Sequence, residues 1–264
     1  MKKFGFLLPI ALLVVFSMIS TRLFASGSVS PAVLFAFPAV LFGIMFLTRP
    51  KKSAPKSAGE IQDNILGEYA QDAFAGNEQL GAKFQAAMKD LSGNMPKAAL
   101  NKLQKLAPLC TGDKEIYAIS MATASIQVSL GKPKDAIRGY IRALGIHPSS
   151  KVAMELGSCY QRLGELSKAR DTYQYALDLD GSNLDALSAI ATAYVADGMY
   201  DIGLSKAREV LETNENHASA LATAAICCGL LNDPLMCKHY TDRAVTNGYK
   251  KDKITQTIDA LKKR

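Results

Sequence analysis

A pattern of small and aromatic residues recurs every 33 or 34 residues along the second half of this 264-residue chain. Its clearest copy is Leu156-Gly157, Tyr160, Gly164, Ala169, Tyr173, Ala176-Leu177 and Asp180-Gly181. The next copy is Ile190-Ala191, Tyr194, Gly198, Gly203, Ala207 and Val210, and the preceding one keeps Gly131, Ala136, Tyr140, Ala143-Leu144 and Pro148. A weaker copy begins near His217. Such self-similarity at a fixed period is typical of repeat arrays.

Each repeat contains two stretches of helical length with apolar periodicity, separated by a glycine-centred turn. Small residues such as Gly157, Ala169 and Ala176 stand where two helices must approach closely. Tyr160 and Tyr173 are expected to fill the larger gaps beside them, because buried rings supply much apolar area. One helical pair cannot bury its apolar face alone, so we expect the pairs to stack into a solenoid.

The period and these residue types resemble the tetratricopeptide repeat (TPR) family over residues 113–248, and only loosely over residues 59–110. No copy has the early Trp of that family, and only Pro148 keeps its closing proline. The resemblance implies an all-α fold with a TPR-type α-solenoid over residues 113–264. Residues 252–264 alternate Ile254, Ile258 and Leu261 with polar residues, and are predicted to form a C-terminal capping helix.

Residues 60–110 are predicted to form a divergent helical repeat or a helical cap. Residues 61–74, 79–91 and 96–106 have helical patterns, with Asn94 as a cap and Pro96 in a first-turn position.

Two long apolar stretches lie at the amino-terminal end. Residues 4–21 and residues 23–48 contain no charged residue, and Arg22 separates the two stretches. Each stretch is long enough to span a bilayer. We predict a membrane helical hairpin over residues 1–48. The alternative is that the first stretch is the apolar region of a cleaved signal peptide. Residues 49–59, RPKKSAPKSAG, are predicted to form a basic juxtamembrane linker.

The positive charge of the chain is concentrated near these stretches. Seven of the 31 Lys and Arg residues, and no acidic residue, precede residue 58, which leaves equal numbers of basic and acidic residues in the remainder. Because cytoplasmic flanks of membrane helices are rich in Lys and Arg, we expect a cell-membrane protein whose repeats face the cytoplasm. The neutral repeat region lacks the basic footprint of a nucleic-acid-binding protein.

The sequence contains no pattern that predicts catalysis. Its five cysteines fall inside apolar helical patterns without the CxxC spacing that zinc sites use, so we expect buried thiols in a reducing compartment. No HExxH, GxSxG, P-loop or GxGxxG motif occurs. We therefore predict no catalytic residue, no metal site, no cofactor and no enzymatic activity.

The TPR resemblance implies a binding surface, because in that family the first helix of each pair lines a concave groove that receives an extended peptide or a partner helix. In this frame the candidate partner-binding residues are Met121, Ser125, Met154, Ser158, Gln161, Arg162, Asp185, Ser188 and Thr192, with Ala222 and Ile226 continuing the surface. The methionines favour soft apolar contacts with varied partners. Equally, both methionines could pack between neighbouring helices.

The predicted function is that of a membrane-anchored interaction scaffold or adaptor, with a protein or peptide partner in the groove and the lipid bilayer as its second contact. One alternative is a structural subunit of a membrane complex whose apolar helices make the specific contacts. Another is an extracytoplasmic chaperone-like TPR factor. The residues select no particular partner, pathway or oligomeric state.

Overall fold

A computed structural model describes residues 68–263, and the regular structure within them is entirely helical. A short 3-10 helix, Glu68–Ala70, precedes the first α-helix, and a second one, Ala107–Leu109, follows the second α-helix. The α-helices in this range are α1 (Glu78–Ser92), α2 (Pro96–Leu106), α3 (Asp113–Ser129), α4 (Pro133–Ile146), α5 (Ser150–Arg162), α6 (Leu166–Leu179), α7 (Leu184–Ala196), α8 (Tyr200–Thr213), α9 (Ala218–Leu230), α10 (Pro234–Thr246) and α11 (Lys251–Lys262).

The predicted membrane hairpin (residues 1–48) and basic linker (residues 49–59) lie outside the described residues. Within residues 68–263, none of the helices combines the length and the apolar character that a bilayer crossing needs.

The helices α1 to α10 form five consecutive helical hairpins that stack into a solenoid. Each hairpin turn contains one residue in the left-handed conformation, which lets a helix end and the chain reverse. These residues are Asn94 (φ 59°), Gly131 (74°), Gly164 (77°), Gly198 (82°) and Asn232 (61°). The three glycine turns were predicted from the repeat frame. The two asparagines occur because Asn tolerates this conformation better than most residues.

The first hairpin, α1 and α2, corresponds to the predicted helices 79–91 and 96–106. The predicted helix over residues 61–74 is wrong for residues 71–74, which form turns, and its first part lies outside the described residues. Asn94 was also predicted wrongly as the cap of α2. Met95 occupies the N-cap position, and Asn94 instead reverses the chain after α1.

Small residues bring the two helices of a hairpin together, as the repeat frame predicts. A Cβ atom added to Gly157 in α5 would lie 2.5 Å from Cε1 of Tyr173 in α6. A Cβ atom added to Gly139 in α4 would lie 2.9 Å from Cβ of Ala124 in α3. Any larger side chain at either glycine would push the two helices apart.

Successive hairpins are joined by hydrogen bonds as well as by apolar packing. Ser150 in α5 donates through Oγ to the carbonyl oxygen of Ala176 in α6 at 2.7 Å, and accepts from Nδ2 of Asn183 at 2.8 Å. Oδ1 of Asn183 accepts the backbone N–H of Ala186 at 3.0 Å, which caps α7 as predicted. One asparagine therefore fixes the start of α7 relative to the preceding hairpin.

The last helix, α11, covers the α9 side of the apolar end of the solenoid. Ile254 is buried against α9 and its neighbours. A Cβ atom on Gly229 would lie 2.6 Å from Cδ1 of Ile258, so α11 approaches α9 closely at this glycine. By contrast, α11 touches α10 at few positions.

Residues 68–72, here called the N-terminal strap, pack against the second hairpin. The ring of Tyr69 stacks on the ring of His147, with centroids 4.1 Å apart and planes at 1°, and meets the ring of Tyr117 edge-on at 5.0 Å. Asp72 forms an ion pair with Nζ of Lys114 at 2.7 Å. The strap therefore attaches to the beginning of α3 and to the residue that follows α4.

Candidate groove on the first helices of the hairpins

The first helices of the hairpins, α3, α5, α7 and α9, place their predicted binding residues in rows. Because the repeat is 33 or 34 residues long, equivalent positions recur on successive first helices. The floor row is defined as Met121, Met154 and Ser188, and the hydroxyl row as Ser125, Ser158 and Thr192. Each row takes one residue from α3, one from α5 and one from α7.

The floor row lies between helices rather than on an open surface. Met121 is 3% exposed and belongs to the main apolar core. Met154 is half-buried and packs against two apolar clusters, which include Ile190 of the next hairpin. Ser188 is 2% exposed, and its hydroxyl has no hydrogen-bond partner among the described residues. In this arrangement Met121 and Ser188 lie too deep for a partner to touch, and only Met154 reaches the surface.

The hydroxyl row is more accessible, since all three of its side chains are half-buried. Within residues 68–263, the hydroxyls of Ser125 and Ser158 form no hydrogen bond, so both remain available to a ligand. Thr192 is engaged already: its Oγ1 donates to the carbonyl oxygen of Ser188 at 3.0 Å and lies 3.2 Å from Oγ1 of Thr223 in α9. Thr223 joins the two first helices α7 and α9 at this point, although it is not among the predicted binding residues.

Ala222 and Ile226, which continue the two rows on α9, are 1% and 8% exposed. Both belong to the apolar cluster that α11 covers. The accessible part of the two rows is therefore on α3, α5 and α7.

Gln161 and Arg162 stand at the end of α5. Oε1 of Gln161 accepts a hydrogen bond from the hydroxyl of Tyr173 at 2.8 Å, which fixes the side-chain amide and leaves its NH2 group to donate elsewhere. Burial raises the pKa of Tyr173 well above its ordinary value, so this hydroxyl keeps its proton and remains a donor. Arg162 is exposed, and no carboxylate of residues 68–263 forms an ion pair with it. It offers a free cation beside the hydroxyl row.

Asp185 occupies the first turn of α7 and is also exposed. Its Oδ1 lies 3.1 Å from Nε2 of His217, the residue that caps α9. Nδ1 of His217 accepts the backbone N–H of Ala220 at 3.3 Å, so in the neutral imidazole Nε2 carries the proton and donates to Asp185. Asp185 thus helps to orient a helix cap. The position of His217, directly before the first helical residue, is the sequence signal that identifies this capping role.

The four buried thiols show no sign of chemical activation. Cys110, Cys159, Cys227 and Cys228 are buried, and Cys237 is half-buried. Burial raises the pKa of Cys159 to about 11 and that of Cys227 to about 12, and it also raises the pKa of Cys110 and of Cys228. Thiols with raised pKa values are poor nucleophiles near neutral pH. Among residues 68–263, His, Cys, Asp and Glu side chains form no group of three able to hold a metal ion.

Comparison with known proteins identifies the architecture. The structural match to a TPR protein from Parabacteroides merdae has a TM-score of 0.61 and 18% identity, over 70% of this chain and 73% of that one. The match to MamA has a TM-score of 0.56 and 18% identity, over 67% of this chain and 95% of that one. The match to YrrB, described as a TPR protein with an unusual peptide-binding site, has a TM-score of 0.53 and 20% identity, over 74% and 98%.

Sequence relatives cover shorter segments. The chain is 35% identical over 72 residues to the CTR9 homolog of Arabidopsis thaliana, and 21% identical over 98 residues to tetratricopeptide repeat protein 8 of Caenorhabditis elegans. It spans only 7% and 19% of the lengths of these two curated relatives. No family model matches the chain.

These similarities establish the fold of the described part of the chain. Residues 68–263 form an all-α, TPR-like repeat solenoid, which confirms the predicted fold class for this part of the chain. A TPR-like solenoid is an architecture suited to protein–protein interaction.

Proposed function

We propose that this chain is a non-enzymatic scaffold that binds an extended segment of a partner protein through the groove on α3, α5 and α7. The observation that carries the proposal is the hydroxyl row, with the two free hydroxyls of Ser125 and Ser158 at equivalent places on successive first helices. Successive first helices lie at least one packed-helix distance, about 10 Å, apart, and an extended peptide advances about 3.3 Å per residue. The row would therefore meet residues of such a peptide that are three or more positions apart.

The surroundings of the row favour a peptide over a small molecule. Hydroxyl groups can donate to or accept from a peptide backbone, and the NH2 group of Gln161 can donate to it. The N–H and C=O groups of a peptide require such partners when they are buried. Arg162 supplies a single positive charge beside the row, and Asp185 supplies a negative one. This mixed, mostly neutral lining favours a polar segment without a strong net charge.

The groove can be tested by replacing residues of the row with a photo-crosslinking amino acid in living cells. Incorporation at Ser158 or Arg162 is expected to give a discrete adduct with one partner protein. Incorporation at Asp171, an exposed residue on the second helix α6, serves as the control and should give none. Equal adducts from both faces, or no adduct from the groove of a folded protein, would contradict the proposal.

A matched pair of substitutions strengthens this test. Ser158→Arg places a long cation in the row, whereas Ser167→Arg makes the same change at an exposed position of α6. We expect Ser158→Arg to reduce the yield of the Arg162 adduct by about tenfold, a loss of about 1.4 kcal/mol in affinity, and Ser167→Arg to leave it unchanged.

We further propose that residues 1–48 anchor the scaffold in the cell membrane and that the solenoid faces the cytoplasm. The support is the two uncharged stretches and the basic residues that follow them. A Cys237→Ser chain with Asn101→Cys, an exposed site in α2, should react with an impermeant thiol reagent only after the cells are permeabilised. Reaction on intact cells would place the solenoid outside, and release of the chain by carbonate extraction would rule out the anchor.

A further inference from the structure

A cleft of about 660 Å³ opens between α10 and α11 at the C-terminal end of the solenoid. From α4 to α9, the second helix of each hairpin packs along the first helix of the next one. Here α11 is turned toward α9 instead and leaves the side of α10 uncovered. The floor of the cleft is formed by Gly229, Cys237, Ile254 and Ile258. An apolar surface that a neighbouring helix covers elsewhere in the fold is therefore open at this end.

The rim of the cleft is positively charged. Three lysines line it: Lys238 on α10, and Lys251 and Lys262 on α11. Asp242 is the single acidic residue among the described residues that line the cleft. All three lysines are exposed, and within residues 68–263 none of them pairs with a carboxylate. Cations around an apolar floor favour a segment that combines acidic groups with apolar side chains.

The chain itself contains a segment of this kind. Residues 57–82 include no Lys or Arg, and within them residues 60–67 read EIQDNILG. This segment combines the acids Glu60 and Asp63 with the apolar residues Ile61, Ile65 and Leu66. We propose that the cleft of one chain binds residues 60–67 of a second copy, with the acids at the lysine rim and the apolar side chains on the floor.

The geometry of the strap favours a second copy over the same chain. The strap attaches residue 69 to the start of α3 and the end of α4, and so fixes where the preceding residues leave the solenoid. Leu66, the last apolar residue of the segment, is three residues from Tyr69 and can lie at most about 11 Å from it. The cleft begins at α9, which is three first-helix steps of at least about 10 Å beyond α3, or about 30 Å. The segment 60–67 therefore cannot occupy the cleft of its own chain while Tyr69 stays attached.

The contact is head-to-tail, because the amino-terminal end of one solenoid meets the carboxy-terminal end of the next. Such heterologous contacts build rings or open chains rather than closed two-fold dimers. The groove on α3, α5 and α7 takes no part in the contact, so each copy in the assembly keeps it available.

Photo-crosslinking between labelled and unlabelled copies tests the contact directly. The full chain in detergent carries the photo-crosslinker at Thr255, an exposed residue of the cleft, and is mixed with a ¹⁵N-labelled wild-type chain. We expect mass spectrometry to identify an adduct between residue 255 and the labelled segment 60–67. Thr246, which is exposed on α10 and outside the cleft, is the control position. An adduct within one chain, with detergent or lipid, or with another segment would overturn the proposal, and so would the absence of an adduct.

Charge reversal provides an independent measurement. A triple variant replaces the three lysines of the rim by Lys238→Glu, Lys251→Glu and Lys262→Glu. We expect its association constant for self-association, measured by sedimentation velocity, to fall by about tenfold or more. Mixing this variant with a Glu60→Lys, Asp63→Lys chain should restore association. The control is a triple variant with the same charge change at exposed positions outside the cleft: Lys105→Glu, Lys132→Glu and Lys134→Glu. Its association should equal that of the wild type. Loss without restoration, or equal loss in the control, would contradict a specific contact.

Discussion

The ring of Tyr173 lies directly against the backbone of Gly157, so that an added methyl group would stand 2.5 Å from Cε1 and 2.6 Å from Cδ1. The hydroxyl of the same tyrosine donates to Gln161 at 2.8 Å, so the ring cannot turn away without losing a partly buried hydrogen bond. The close packing of α5 on α6 and the orientation of the Gln161 amide therefore depend on one aromatic ring.

Gly157→Ala should destabilise the protein despite the better helix propensity of alanine. The propensity gain is about 1 kcal/mol, whereas forcing a methyl group into a filled core costs about 1–3 kcal/mol, and more where the neighbour cannot move. We expect a net loss of up to about 2 kcal/mol in the free energy of unfolding by urea.

Gly145→Ala is the matched control, because the same methyl group at this position of α4 meets nothing within 4 Å. Only the propensity term remains, and the variant should gain about 0.5–1 kcal/mol. If the two substitutions shifted the urea midpoint in the same direction, close packing at Gly157 would not be the cause.

The sequence predicted those parts of the fold that repeat. A small residue recurs at the position of Gly157, as Ala124 and Ala191, and Tyr173 recurs as Tyr140, so the period predicts a close approach of the two helices at these positions. The capping role of Asn183 was predictable for a similar reason, because it immediately precedes an apolar-periodic stretch. Periodicity reveals which positions face a neighbouring helix.

Periodicity does not reveal how deeply a side chain is covered. Met121 and Ser188 occupy groove positions by register, but neighbouring helices cover them. The strap and the open side of α10 each occur once among the described residues, so the repeat pattern could not predict them. The depth of a side chain, and features that do not recur, required the structure.

Asn183→Ala should remove a helix cap and a contact between hairpins together. Its Oδ1 caps α7, and its Nδ2 donates to Ser150, whose Oγ donates in turn to the carbonyl oxygen of Ala176. A lost cap costs about 1 kcal/mol, and the loss of a partly buried hydrogen bond adds about 0.5–1.5 kcal/mol. We expect a loss of about 2 kcal/mol in urea unfolding.

Asn77→Ala separates the two contributions of Asn183. Asn77 caps α1 through a hydrogen bond from Leu80 N–H at 3.1 Å, and among the described residues its side chain forms no hydrogen bond to a second hairpin. This variant should lose only about 1 kcal/mol. In a double-mutant cycle, Ser150→Ala and Asn183→Ala should show a coupling energy of about 0.5 kcal/mol or more. Additive losses would mean that the bond between the hairpins contributes nothing.

Tyr69→Ala should release the strap while leaving the rest of the solenoid folded. The tyrosine stacks on His147 and meets Tyr117 edge-on, so its removal takes two aromatic contacts of about 0.5–1.5 kcal/mol each, as well as apolar burial. Hydrogen exchange should accelerate at residues 69–76 and remain unchanged in α9 and α10.

Asp72→Asn is the control for the strap. The ion pair of Asp72 with Lys114 is largely exposed, and such pairs contribute little to stability. Its exchange pattern should match the wild type. If Asp72→Asn accelerated hydrogen exchange in the strap as much as Tyr69→Ala does, the ion pair rather than the packing of the Tyr69 ring would hold the strap on the solenoid.

The buried thiol of Cys227 predicts a specific loss of stability in alkali. Burial holds its pKa in the folded protein at about 12, above the ordinary value of 9.0 that the unfolded chain has. Below pH 9 the thiol is neutral in both states, and its full contribution to stability is present. Between about pH 9 and pH 12 the unfolded chain loses the proton while the folded chain keeps it, so stability falls as the pH rises.

Cys227→Ala removes this contribution but not those of the other ionising groups. The stability difference between wild type and variant, measured by urea unfolding in the presence of reductant, should therefore shrink as the pH rises from about 9 to 12. For Cys159→Ala the difference should stop shrinking near pH 11, because the pKa of Cys159 is raised only to about 11. A difference that stays constant over this range would mean that Cys227 is hydrated in the folded protein, and that α9 does not pack on α8 at Gly203 as the structure has it.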